Sequence, residues 1–172
     1  FYVPYEGANA KIKGEFPNGF LPSYGSGLAY KGKNAAGDLE FYGLTDRGPN
    51  GDGPLLPDPS GKGTIGSKIF PSPSFTPSFG VLTVGKNGAV LTSSTPIKVS
   101  ATVDSSGLPV PVGAVGNSAE IPVMDAMKFD AAGKAVFNAG GLDSEAIVVD
   151  AKRNALWVSD EYGPFIVKID AA

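Results

Sequence analysis

The stretch AIVVDAKRNALWVSD, residues 146–160, holds two runs of β-branched and aromatic residues on either side of a polar connection, DAKRNA. Such runs, only a few residues long and bounded by turn formers, predict two antiparallel strands of a hairpin rather than a helix. The second arm runs on into LWVSDEYGP, residues 156–164, where an apolar strand meets two adjacent carboxylates and a Gly-Pro stop. FYGLTDRGP, residues 41–49, repeats this arrangement: an aromatic strand, a small hydroxyl residue, an acid, then Gly-Pro.

The rest of the chain reads the same way. GVLTVGKNGAVLTSS (80–94) predicts a hairpin turning at Asn87-Gly88, since both residues accept positive φ. MKFDAAGKAVFN (127–138) predicts another near Ala132-Gly133, and GSGLAYKG with LEFYGLTD predicts a pair joined by KNAAGD. Helical periodicity is hard to find, and 24 Gly and 15 Pro punctuate the strands. The fold class is therefore all-β. Residues 47–78 carry little strand pattern and predict a long loop, of a kind that is either functional or disordered, its FPSPSFTPSFG end pinned to a surface by aromatic residues 70, 75 and 79. Residues 106–122 form a second irregular stretch.

Asp46 and Asp160, the acids of the repeated phrase, stand 114 residues apart, a spacing that fits two or three β-propeller blades with loops inserted. At most about three blades of four antiparallel strands fit in 172 residues, fewer than a ring of roughly four to eight requires. The expectation is that residues 1–172 form one domain portion, about half of a ring, completed by a further segment or a second, cleaved chain.

Composition narrows the chemistry. With no His and no Cys, these residues cannot build a nitrogen or sulfur zinc site, a Ser-His-Asp triad or a Cys-His pair. Carboxylates and other oxygen ligands point to hard cations, calcium first and magnesium next. A net charge of −3 gives no basic field for nucleic acid, and no apolar run is long enough to span a bilayer. The expected partners are small molecules. A start at Phe1 without methionine predicts a processed product, and the lack of cysteine fits a secreted or periplasmic protein.

Asp143 and Glu145, two apart at the mouth of a strand, are expected on one face, and the hairpin returns Asp160 and Glu161 to the same end. Four crowded carboxylates repel unless a cation neutralises them, so Asp143, Glu145, Asp160 and Glu161 are the expected metal ligands. Asp46-Arg47 reads equally as an ion pair at a turn or as a functional pair, Asp46 orienting water and Arg47 gripping phosphate or carboxylate oxygens. NGDG (50–53) lacks the full calcium-loop pattern, and Trp157, Tyr42 and Tyr162 are expected to pack.

GSGLAY, FYGLTDRGPN, IFPSPSFTPSFGVL, GLDSEAIVVD and LWVSDEYGPFIVKID, in this order, resemble the phytase-like family, also described by its esterase-like activity of phytase. The resemblance runs over nearly the whole chain and implies the N-terminal half of a longer β-propeller. It further implies calcium-dependent hydrolysis of phosphate esters or carboxylic esters, with Asp46, Arg47 and Glu145 as the catalytic candidates. Ala146 stands where the family usually shows Gly, a change that leaves the acids in place. Two other readings stay open: a non-catalytic, calcium-stabilised propeller used as a binding module, and a lactonase-type propeller.

Overall fold

Alternation along the chain becomes strands in a computed structural model of the protein, which describes residues 1–58, 60–111, 121–123, 135–163 and 165–170. The order is α1 (Ala10–Glu15), β1 (Gly27–Lys33), β2 (Leu39–Leu44), β3 (Gly51–Asp52), β4 (Leu56–Pro57), β5 (Thr64–Ile65) and β6 (Ser67–Ile69). It continues with β7 (Ser78–Gly85), β8 (Gly88–Pro96), β9 (Lys98–Ser100), β10 (Val103–Asp104), β11 (Ile121–Val123), β12 (Ser144–Asp150), β13 (Ala155–Asp160) and β14 (Ile166–Asp170). The fold is all-β. The short α1 starts where the Asn9 side chain accepts the N–H groups of Lys11 and Ile12, and it buries no residue.

Two antiparallel sheets hold the core. One is four-stranded in the order β1-β2-β7-β8, and the other three-stranded in the order β12-β13-β14. Leu44, Ile97, Leu142, Ile147, Leu156 and Val158 are buried together, with Tyr42, Phe79, Val149, Val167 and Ile169 packed around them. Gly27 lets β1 come close to β12, because a Cβ there would stand 3.0 Å from the Ile147 nitrogen. No closed ring of blades forms among the described residues.

The β7–β8 hairpin turns one residue earlier than the sequence predicts. Gly85 pairs with Gly88, so Lys86 and Asn87 form the turn. Gly88 supplies the positive φ, 113°, and Asn154 is the one described non-glycine residue that has it. The β12–β13 hairpin is as expected, closing through residues 151–154 with Asn154 at φ 48°. The hairpin predicted at Ala132-Gly133 lies outside the described residues.

Residues 47–78 contain more structure than their composition indicates. β4 pairs with β5, while β6 pairs antiparallel with β3 and parallel with the distant β11. The aromatic anchoring holds: Phe70 and Phe75 are buried, and the Ser72 hydroxyl donates to the Pro4 carbonyl at 2.6 Å. This whole excursion leaves the end of β2 and returns at β7, the strand paired beside it.

The two faces of β12 give a direct test. Ile147 is buried against the first sheet and Val148, its neighbour, is 60% exposed. Ile147→Ala is expected to cost about 2–5 kcal/mol in chemical denaturation, and Val148→Ala less than about 1 kcal/mol. Equal losses would contradict this packing.

Candidate functional site

Thr45 follows β2 and is buried. Its N–H donates to the Ser78 carbonyl at 2.9 Å, and its hydroxyl oxygen accepts the Ser78 N–H, also at 2.9 Å. Its carbonyl accepts the Ser144 hydroxyl at 2.7 Å, which ties the end of β2 to the start of β12. The next residues, Asp46-Arg47-Gly48, form a turn in which the Gly48 N–H donates to Asp46 Oδ1 at 2.8 Å. Gly48 has φ 89°, and the Phe75 ring occupies the place a Cβ would take, 2.2 Å away. On the other side, a Cβ on Gly107 would stand 1.9 Å from the Arg47 carbonyl oxygen. The Asp46–Gly48 turn is thus clamped between an aromatic ring and a glycine backbone.

A β-bulge shapes the opposing loop. Ser144 pairs with Asp160 and Ala146 with Ser159, so Glu145 is the unpaired extra residue. Bulges re-aim side chains at sheet ends. Asp143 precedes the strand and is buried, whereas Glu145 is exposed. The two do not share a strand face, as simple alternation predicts; the bulge and the loop bring them together instead.

Asp143, Glu145 and Glu161 each place a carboxylate oxygen within 4.8 Å of the others. Asp160, expected as a fourth member, has a different task. Its Oδ1 accepts the Asp143 N–H at 2.7 Å, and its Oδ2 accepts the Gly163 N–H at 2.5 Å. The Glu161 N–H donates to the Asp143 carbonyl at 2.8 Å. Asp160 therefore positions the backbone that carries the other acids.

Arg47 is the cation of the site, and its backbone N–H donates to Asp143 Oδ1 at 3.1 Å. Its Nε lies 3.0 Å from Asp143 Oδ2, and its guanidinium carbon 5.5 Å from the centre of the Tyr162 ring. Tyr162 is buried and its hydroxyl donates to the Gly107 carbonyl at 2.6 Å, so the ring under Arg47 is fixed. Sequence reading assigns Tyr162 to packing, which is correct, but its role beneath Arg47 depends on a contact with Gly107 that no local pattern encodes.

Asp143 is only 1% exposed, and Oδ2 is buried without hydrogen-bond geometry to any described group despite the ion pair with Arg47. Burial pushes its pKa up to about 7; Arg47 pulls the other way, and the charges of Glu145 and Asp46 add to the rise. Glu145, exposed as a residue, is also raised, first by the partial loss of water around its carboxylate and then by Glu161 and Asp46. Asp143, Glu145, Glu161 and Asp46 thus crowd together beside the Arg47 guanidinium. Two oxygens on opposite sides of a calcium ion are at most about 5 Å apart, from Ca–O distances of roughly 2.3–2.6 Å. The spacing of the three acids and the buried Oδ2, which has an ion pair but no hydrogen bond, both fit a hard divalent cation. Asp52 of NGDG stays apart, bound to Lys68 at 2.6 Å.

The family model Phytase-like, described as esterase-like activity of phytase, matches residues 70–172, the part that carries Asp143, Glu145, Asp160 and Glu161. No curated protein and no solved structure matches the chain. Among the described residues no helix is long and apolar enough to cross a membrane.

Two outcomes follow from this geometry. Because the folded protein holds the Asp143 proton more tightly than the unfolded chain does, stability falls as pH rises from about 4 to about 7. Asp143→Asn is expected to flatten that slope in metal-free thermal melts, and identical slopes would refute the assignment. Asp160→Asn replaces an acceptor of three backbone N–H groups, those of Asp143, Gly163 and Phe165, and is expected to cost about 1–3 kcal/mol, while the exposed Glu161→Gln stays within about 0.5 kcal/mol in denaturant titrations.

Proposed function

The chain belongs to the phytase-like family, hydrolases of the phytase or esterase-like kind, and from that premise we propose that it hydrolyses phosphate monoesters, with carboxylic esters second. The observation that carries this reading is the cluster of Asp143, Glu145 and Glu161 around one point beside Asp46 and Arg47. Asp143, Glu145 and Glu161 would hold calcium, or magnesium as the other hard cation, with Asp160 fixing their loop. A cation held there would supply Lewis acidity for the ester oxygen and for the activation of water.

The protein's own groups do the rest. Arg47, held on Asp143 and over Tyr162, orients the phosphoryl oxygens and stabilises charge that develops on them. The Asp46 carboxylate, steadied by the Gly48 N–H, takes a proton from the attacking water. The water oxygen bonds to phosphorus as the bond from phosphorus to the ester oxygen breaks, and the proton is returned to the departing alcohol oxygen.

The same proposal covers architecture. β1-β2-β7-β8 and β12-β13-β14 are read as successive propeller blades: each is an antiparallel meander, and their second strands, β2 and β13, both end in the repeated acidic phrase. The outward Leu28, Tyr30, Val90, Val148 and Ile166 are exposed and would meet the remaining half of the ring, on a further segment or a second chain. A secreted or periplasmic location suits an oxygen-only calcium site.

A structural calcium in a binding module is the second reading, favoured by Asp143 itself, whose carboxylate binds the backbone of the Arg47 turn. Hydrolysis of p-nitrophenyl phosphate and p-nitrophenyl acetate separates the two. A chelator is expected to lower the rate roughly 10-fold or more, and calcium to restore it. Glu145→Gln is expected to do the same at a nearly unchanged Tm. A lowered Tm with an unchanged rate per folded molecule would point to the binding module.

A further inference from the structure

A cleft of about 380 Å3 opens against the Asp46–Gly48 turn, bordered by Phe20, Leu21, Pro71 and Phe75 and, at its polar edge, by Ser23 and Asn50. Its size lies in the range of small-molecule sites, roughly 300–1,000 Å3. Asp46 also lines it, and among the described lining residues there is no lysine or arginine. The cleft and the acidic cluster share a wall. Thr45 and Gly48 border the cleft, while between them the Arg47 N–H is bound to Asp143 and the Thr45 carbonyl to Ser144. The Phe75 ring lies directly on Gly48, so the apolar surface begins where the polar turn ends.

We infer that this cleft is the subsite for the alcohol half of the ester, and that the substrate class is an aryl or similarly apolar phosphate monoester rather than a polyphosphorylated polyol such as phytate. The inference rests on the hydrolase reading above. Aromatic and proline walls gain from removing an apolar group from water, and proximity to Asp46 leaves the phosphoryl group on the polar side of the turn. A ligand dense in phosphates meets the opposite conditions there. Its many charges would lose water against Phe20, Leu21 and Phe75 with no cation among the described lining residues to replace it. In the reaction the P–O bond to the aryl oxygen breaks, a P–O bond to water forms, and a water proton ends on the released phenol or naphthol.

Leu21 is the residue to test because it is 74% exposed and its substitution leaves the core intact. The purified protein, at fixed free calcium, is assayed on 1-naphthyl phosphate and on phytate as wild type, Leu21→Ser and Leu21→Lys, with binding of both compounds followed by calorimetry. Expected results are a kcat/KM preference for 1-naphthyl phosphate, a roughly 5-fold or larger loss of that preference in Leu21→Ser, and a further move towards phytate in Leu21→Lys. If neither compound turns over but 1-naphthyl phosphate still binds more tightly and is weakened by Leu21→Ser, the hydrolase reading falls and the subsite stands. Preference for phytate, or indifference to both variants, overturns the subsite.

Discussion

The site depends on one buried carboxylate. Asp143 receives the Arg47 backbone through one oxygen and faces its guanidinium with the other, while its own N–H and carbonyl are held by Asp160 and Glu161. Its residue therefore joins the loop after β2 to the loop after β13. A buried carboxylate is costly to ionise with a single partner, and the crowding by Glu145 and Asp46 makes it more so. The structure tolerates that cost at the point where its two sheets meet, and such unrelieved charge is a common mark of a working site.

Around that carboxylate the neighbours divide between holding and acting. Asp160, Ser144 and Thr45 are buried, and their side chains engage backbone groups. Glu145 and Glu161 are exposed, and Asp46 borders the cleft. Tyr162 belongs to the first group but serves the second, because its ring lies under Arg47. The acidic residues of the repeated phrase are thus not equivalent: each accepts an N–H of its own turn, but Asp160 also holds the Asp143 N–H, whereas Asp46 borders the cleft.

Much of the fold is legible from local pattern. The β1–β2, β7–β8 and β12–β13 pairs follow from period-two alternation and nearby turn residues, and the burial of Phe70 and Phe75 follows from aromatic spacing in a Pro-rich stretch. What escapes is long-range. β6 pairs with β11, where Ile121 lies opposite Ser67, 54 positions earlier in the chain, and neither strand is longer than 3 residues, too short to announce itself. The site divides in the same way. That Asp143, Glu145 and Glu161 converge is legible from the hairpin, but the means is the unpaired Glu145, and a bulge is a property of register between two strands rather than of either one. Whether an aspartate caps a turn or faces an ion depends on which N–H groups surround it, so Asp160 could not be separated from its neighbours by letter alone.

The excursion from β2 to β7 starts and ends on adjacent strands of one sheet. Its two ends are fixed by the sheet whatever lies between them, so insertions or deletions at its far tip, around β4 and β5, leave the positions of Asp143 and Arg47 untouched. The stretch nearest the sheet contributes Phe75 to the cleft, while the Asp143 hairpin belongs to the other sheet. The apolar wall of the cleft and the acidic cluster are therefore carried largely by separate pieces of chain that meet at the Asp46–Gly48 turn, and a lineage could exchange one while keeping the other.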